Sequence, residues 1–332
     1  MMESRTLGQT GLTVSRIGLG LAALGRPGYI NLGHAADLQQ GYDVHGMEEH
    51  AHAVLDAAWQ AGVRYFDAAR SYGRAERFLA SWLRARQLAP GAAIVGSKWG
   101  YTYTAGWQVQ AQQHEVKDHT LATLQRQYAE SRECLGDHLA LYQIHSATLE
   151  SGVLHDRAVH EELAKLQARG VKIGLTVSGP AQAETVRQAL DVTVAGVRLL
   201  DCVQATWNLL EPSAGPVLRL AHDAGLGVIV KEALANGRLT SRNDEPAFAP
   251  YGRLLEEVAH SQGVTVDALA LAAALGQPWA DTVLSGATTS AQLQSNLAAL
   301  GVTWDEGIGD RLRSIAESPQ TYWTTRGRLP WN

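Results

Sequence analysis

The sequence is poor in cysteine, in charge and in long apolar runs. Two cysteines, Cys134 and Cys202, are too few for a disulfide framework, so the cytoplasm is the expected compartment. Charged residues make up 18% of the 332, the formal net charge is -5, and lysine and arginine are scattered. No polyanionic partner such as nucleic acid is expected from that balance. No apolar stretch approaches ~18 residues, so no membrane span is expected. The opening MMESRTLGQTG lacks the basic-then-apolar pattern of a secretory signal. Short-period repeats, low-complexity tracts and linkers are also missing, and one domain over residues 1–332 is expected.

What the chain does have is alternation. Eight short apolar runs are separated by amphipathic stretches: 15–20, 64–69, 93–98, 139–145, 171–177, 201–207, 226–231 and 281–286. Their near-continuous apolar character suits parallel strands covered on both faces. Between them, stripes such as Ala51, Val54, Leu55 and Ala58, or Ala75, Phe78, Leu79, Trp82 and Leu83, have helical spacing. Further helices are expected near 115–135, 156–169, 180–190, 213–224, 250–262, 265–275, 289–299 and 305–317. The expected class is α/β, a (β/α)8 TIM barrel with extra C-terminal helices. RTLGQTGLTVS reads instead as a β-hairpin placed before the first strand, where it can plug the bottom of the barrel.

Barrel enzymes carry their chemistry at the C-terminal ends of the strands. Strand two ends in Asp67 and its loop carries Tyr72; strands three and four end in Lys98 and His145. A lysine in an apolar strand needs a partner, and Asp67 on the adjacent strand can supply it. A nearby ammonium favours a phenolate, so Lys98 is expected to lower the Tyr72 pKa and let it exchange a proton near neutral pH. His145 can orient a substrate oxygen or relay the proton. Singly, each residue has a bland reading as an ion pair, a satisfied polar group or a packing tyrosine. Four together at neighbouring strand ends weaken that reading.

Other motifs fail. GLGLAA (18–23) mimics a dinucleotide fingerprint, but Gly25, Pro27 and Gly28 break the helix it requires. Tyr72 lacks a lysine four residues on. His45, Glu48, Glu49 and His52 share a helix face and read as solvated polar residues, so no metal is expected. A metal-dependent barrel hydrolase lacks its His and carboxylate set at the strand ends.

FDAARSYG, GSKWG and LYQIHSA, in this order, resemble the catalytic segments of the aldo-keto reductase superfamily, and the likeness runs from LGQTGLTVSRIGLG to VLSGATTSAQLQSNL. The resemblance implies catalytic roles for Asp67, Tyr72, Lys98 and His145 and a bound NAD(P). It implies cofactor contacts from Gly20, Leu21 and Asp67, from Thr176 and Ser178, and from Gln204 to the carboxamide. Trp207 stands where a tyrosine is usual. Lys231 stands where an aromatic residue stacks on the nicotinamide, so either the ring is supported differently or Lys231 points elsewhere. Leu234 and Asn236 face the pyrophosphate, Gly286, Ala287 and Thr288 offer backbone amides to a phosphate, and Asn296 meets the adenine. Gln292 occupies the usual arginine position, and no basic residue lies from Gly286 to Asn296, which favours NAD over NADP unless Arg238 or Arg242 intervenes.

Three segments at the mouth are unusual: a long first loop with Arg26, Tyr29, Asn31 and His34, an aromatic third loop with Trp99, Tyr101, Tyr103 and Trp107, and a tail with Tyr322, Trp323, Arg326 and Trp331. Tyr29, Trp99 and His145 are the expected substrate contacts, in a pocket suited to a sugar, ring ketone or aromatic aldehyde. The expected activity is carbonyl–alcohol interconversion by hydride transfer, with aldose 1-dehydrogenase among the options if the cofactor is NAD. The alternative is a cofactor-binding redox sensor that acts through a protein partner. A small-molecule substrate is expected, with the chain a monomer or homo-oligomer.

Overall fold

The computed structural model describes residues 2–39 and 41–332. Eight parallel strands close a barrel in chain order: β1 (Ile17–Gly20), β2 (Tyr65–Asp67), β3 (Ile94–Trp99), β4 (Leu139–Ala147), β5 (Lys172–Val177), β6 (Cys202–Thr206), β7 (Gly227–Lys231) and β8 (Thr282–Ser285), with β8 returning to β1. The main helices are α1 (Val44–Gln60), α2 (Ala75–Ala85), α3 (Leu121–Leu135), α4 (Arg157–Ala168), α5 (Gln182–Ala189), α6 (Gly215–Asp223), α7 (Ala249–Ser261), α8 (Val266–Leu275), α9 (Ser290–Leu297), α10 (Glu306–Leu312) and α11 (Pro319–Gly327). Helix starts follow capping chemistry: Asp43, Thr120, Asp156, Thr265 and Thr289 each accept a first-turn backbone N–H through the side chain. Among the described residues, no single helix is long and apolar enough to cross a membrane.

Strand alternation sorts the side chains into two buried layers. One face packs under the helices in the large core. The other fills the bottom of the barrel with Tyr65, Ile94, Leu141, Cys202, Ile229 and Leu284. Leu7 and Val14 complete that inner layer. They come from the expected hairpin, Ser4–Thr6 paired antiparallel with Thr13–Ser15. Gly8, at φ 49°, approaches so closely that a Cβ there would lie 2.2 Å from the Gly227 nitrogen. The hairpin is thus a fitted plug, as the sequence predicts.

Two elements depart from expectation. The helix expected from 115 begins at Leu121, because Glu115–Lys117 pairs antiparallel with Tyr101–Tyr103 as a second hairpin above the barrel mouth. The tail from Pro319 forms α11, with Ser318 as N-cap and Pro319 in the first turn.

Candidate active site

The inward positions of β2, β3, β4 and β6 converge on the Asp67 carboxylate. Lys98 Nζ donates to Oδ2, while Oδ1 accepts from Gln204 Nε2 at 3.0 Å, Tyr65 Oη at 3.1 Å and Gln143 Nε2 at 3.3 Å. Lys98 Nζ also donates to the Ala68 carbonyl at 2.9 Å. Both members of the ion pair are almost wholly buried, with side-chain exposures of 0% and 3%. The charge is therefore paired and hydrogen-bonded throughout, as burial demands.

Above this layer sit Tyr72 and His145. Tyr72 Oη lies 3.4 Å from His145 Nε2, and Ser71 Oγ lies 3.4 Å from His145 Nδ1. Lys98 Nζ is 4.7 Å from the centre of the Tyr72 ring. Leu141, Gln143 and His145 share the inward face of β4, and a bulge follows with Ser146 at φ 49°, where its N–H donates to Thr176 Oγ1 at 2.7 Å. His119 Nε2 lies 2.9 Å from the His145 carbonyl and braces the same strand end.

The electrostatics correct one expectation. Burial, reinforced by the Asp67 charge, pushes the Tyr72 hydroxyl well above its ordinary range. Lys98 does not bring it down, because the Asp67 carboxylate beside it acts on the same hydroxyl in the opposite direction. Burial, with Lys98 and Lys231 nearby, pushes His145 well below the usual imidazole value. Tyr72 and His145 are therefore both neutral near pH 7.

A cavity of about 560 Å³ opens over these groups. It is lined by Tyr29, Asp67, Tyr72 and His145, and by Gly20, Thr176, Ser178, Gln204, Lys231, Leu234, Asn236, Gly286, Ala287, Thr288, Gln292 and Asn296. Lys98 lies beneath its floor. Two anticipated residues fall elsewhere. Leu21 and Trp99 are fully buried in the core under the helices, because alternation turns them to the outer face of the barrel wall. Trp207 packs edge-on against Trp279, also away from the cavity.

Lys231 points into the cavity. Its Nζ donates to Thr206 Oγ1 at 2.9 Å and lies 3.9 Å from Glu232, and burial brings its pKa down to about 8. Burial alone would push Glu232 up, but Arg326 and Lys231 bring it down to about 2. Arg326 of α11 meets Glu232 with Nη2 at 2.5 Å and Nε at 3.0 Å, which docks the terminal helix on the mouth. Arg26 pairs with Glu115 and sits 5.2, 5.0 and 4.9 Å from the ring centres of Tyr72, Tyr29 and Trp331.

At the β8 end, Gln292 closes a capping box: its Oε1 accepts from the Thr288 N–H at 2.8 Å and from the Thr289 N–H at 3.3 Å. The Thr288 amide that the sequence offers to a phosphate is thus already engaged. Asn236 Oδ1 is buried without a partner, and a Cβ on Gly286 would meet open space. Both features fit a bound molecule rich in hydroxyl donors and phosphate oxygens. Glu48 and His52 of the polar helix face meet Ser81 on α2, and no group of three or more metal-ligating side chains forms among the described residues.

Several neighbours are not singled out by the sequence: Ser71 on His145 and Gln143 on Asp67 stand within FDAARSYG and LYQIHSA, whereas Tyr65 on Asp67 and Glu232 beside Lys231 stand outside the quoted segments. Strand parity from Asp67 and His145 points to Tyr65 and Gln143. Nothing local flags Glu232.

The family model described as "Aldo/keto reductase family" matches residues 16–317. Pyridoxal 4-dehydrogenase of Microbacterium luteolum is 27% identical, over 97% of this chain and 96% of its own length. L-galactose dehydrogenase of Arabidopsis thaliana is 27% identical over 95% and 93%. D-threo-aldose 1-dehydrogenase of a Pseudomonas species is 27% identical over 75% and 82%. The holo form of an aldo-keto reductase from Bacillus halodurans shares the fold, with a TM-score of 0.74 and 20% identity over 96% of this chain and 97% of that one. A matched segment that takes in all eight barrel strands places the chain in the aldo/keto reductase family of oxidoreductases.

Proposed function

We propose that this family member interconverts a carbonyl and an alcohol with a nicotinamide cofactor, with Tyr72 as the group that exchanges the proton. The observation that carries the reading is the neutral Tyr72 hydroxyl at 3.4 Å from neutral His145, on the wall of a cavity large enough for cofactor and substrate. Reduction needs a hydride on carbon and a proton on oxygen. The cofactor supplies the hydride. Tyr72, held as a phenol, gives the proton to the carbonyl oxygen, and His145 holds that oxygen in line. Lys98 and Asp67 fix the floor, and the Arg26 guanidinium, 5.2 Å from the ring centre, favours the phenolate left behind. Oxidation runs the same steps backwards, with Tyr72 recovering the proton it lost.

Gln204, Asn236, Gly286 and Asn296 are suited to hold the cofactor. NAD is favoured over NADP, because the two arginines that could take a 2′-phosphate are both engaged: Arg238 pairs with Glu317 and Arg242 with Asp37. The dehydrogenase relatives carry pyridoxal, L-galactose and D-threo-aldose in their names, which supports a hydroxyl-bearing aldehyde or sugar as substrate. The test is to titrate NADH and NADPH and screen aldehydes, ketones and sugars for turnover, with Tyr72→Phe alongside. Failure to bind either cofactor, or undiminished turnover by the phenylalanine variant, defeats the proposal.

A further inference from the structure

The cavity holds two polar clusters that share no direct contact. One surrounds Tyr72, His145 and Arg26. The other joins Asp37, Arg242 and Gln292. Asp37 ends a short helix, His34–Asp37, in the first loop, far in sequence from the β8 segment it touches. Its Oδ1 accepts from Arg242 Nη2 at 2.5 Å, and its Oδ2 accepts from Arg242 Nη1 and Gln292 Nε2, both at 2.8 Å. The carboxylate is a wall of the cavity with only 8% of its side chain exposed.

We propose that Asp37 sets the choice between the two nicotinamide dinucleotides, accepting the adenosine ribose 2′-hydroxyl and rejecting a 2′-phosphate. The inference rests on the reading of this cavity as a dinucleotide site. A dinucleotide that presents its reactive carbon beside Tyr72 must lay its adenosine half towards the other cluster, since both line one cavity.

The chemistry there is one-sided. Among the described residues, Arg242 is the guanidinium bordering this end, and both of its forks are engaged by Asp37. Asp267 adds a second carboxylate to the same wall. A 2′-phosphate carries about -1.5 to -2 charges and would have to strip Asp37 from Arg242 while lying beside two carboxylates. A ribose hydroxyl meets no such cost. A carboxylate has roughly four acceptor sites, and three are in use, so one remains for the hydroxyl. Asp37 is also held in place. Arg242 donates to the Leu32 carbonyl at 3.1 Å, and Asn332 Oδ1 accepts from the Ala35 N–H at 3.2 Å, which pins the loop from both sides.

Gln292 is the residue that the β8 motif singles out. Here it is subordinate. Gln292 Nε2 donates to the Asp37 carboxylate at 2.8 Å, so an arginine placed at 292 would meet that carboxylate first and be paired with it.

The test is equilibrium binding without substrate, read as quenching of tryptophan fluorescence by NADH and by NADPH. The unmodified protein is expected to bind NADH more tightly. Asp37→Asn keeps the shape, removes the charge and releases Arg242, so the NADPH dissociation constant is expected to fall roughly tenfold or more, with a smaller change for NADH. Adding Arg242→Ala to it is expected to cancel that gain. Gln292→Arg alone is expected to change NADPH binding by less than about threefold, and to add to the gain when combined with Asp37→Asn. Arg242→Ala alone leaves the carboxylate unpaired and is expected to widen the preference for NADH, so it tests the idea even if Asp37→Asn does not fold. An NADPH-to-NADH ratio that stays within about twofold in Asp37→Asn, or that narrows in Arg242→Ala, overturns the assignment. Tighter binding of NADPH by the unmodified protein overturns it too, yet leaves the dinucleotide reading standing. Binding of neither form removes both.

Discussion

Tyr72 Oη lies 3.4 Å from His145 Nε2, and burial keeps both groups uncharged. A phenol with its pKa pushed up rests protonated, ready to donate in the reducing direction. Removing the hydroxyl alone separates its chemistry from its packing. Tyr72→Phe is expected to lower kcat for carbonyl reduction by about two to four orders of magnitude. Its ring contacts persist, so reduced-cofactor binding is expected to change by less than about threefold. Steady-state kinetics beside a fluorescence titration checks both, and a matching loss in the two would point to a binding role.

The buried Lys98–Asp67 pair makes a second prediction. Breaking one partner strands a charge with 0% to 3% exposure. Asp67→Asn is expected to cost about 3–5 kcal/mol of stability, with most of it recovered in Asp67→Asn with Lys98→Met. Activity is not expected to return with the stability. Urea unfolding of the single and double variants, set against turnover, shows whether the pair holds the barrel or serves the chemistry above it.

The barrel is legible in the sequence, because parallel strands under helices leave continuous apolar runs at regular intervals. The residues at the strand ends are legible for the same reason: a lysine or aspartate inside such a run is costly to bury unless it is paired or reactive. Three features are not legible. Trp99 looks like a mouth residue by adjacency, yet parity after the inward Lys98 turns it to the outer core. Glu115–Lys117 adjoins a helix and has only three residues to show its pairing, so its local pattern merges with the helical one. The Tyr72 pKa is misleading from sequence because Lys98 in isolation is a cation, whereas in the fold the Asp67 carboxylate beside it acts on the same hydroxyl in the opposite direction. Each feature needs a partner that only the closed barrel supplies. The same holds for Asp37, whose partners Arg242 and Gln292 lie over 200 residues away.

His34 and His119 offer a stability test. Burial brings both pKa values down to about 4, against an ordinary 6.5. His119 Nε2 faces the His145 carbonyl, and its Nδ1 is buried without an acceptor, so protonation there would bury an unpaired N–H. The unfolded chain takes up these protons first. Stability is therefore full above about pH 6.5 and falls as the pH drops towards 4, by up to roughly 3 kcal/mol for each histidine. Urea midpoints at pH 7.5, 6 and 5 are expected to decline in that order. His119→Asn is expected to flatten part of the decline, and an unchanged slope would assign the acid sensitivity to other groups.

Lys231 makes the last prediction, and it bears on which redox form the site prefers. Its Nζ lies in the wall of the cavity, close enough to His145 to help keep that imidazole neutral, and its own pKa is brought down to about 8. An oxidised nicotinamide ring carries a positive charge and a reduced one does not. At pH 7 the ammonium repels the oxidised form. By pH 9 most of that charge is gone. The ratio of NADH to NAD affinity is therefore expected to fall between pH 7 and pH 9, by on the order of tenfold if the two charges lie within about 6 Å. Lys231→Met is expected to bind the oxidised form more tightly at pH 7 and to lose the pH dependence. Calorimetric titration of both forms at the two pH values decides it. A ratio that is flat in the unmodified protein would place Lys231 against the substrate, where its charge acts on turnover and leaves cofactor affinity alone.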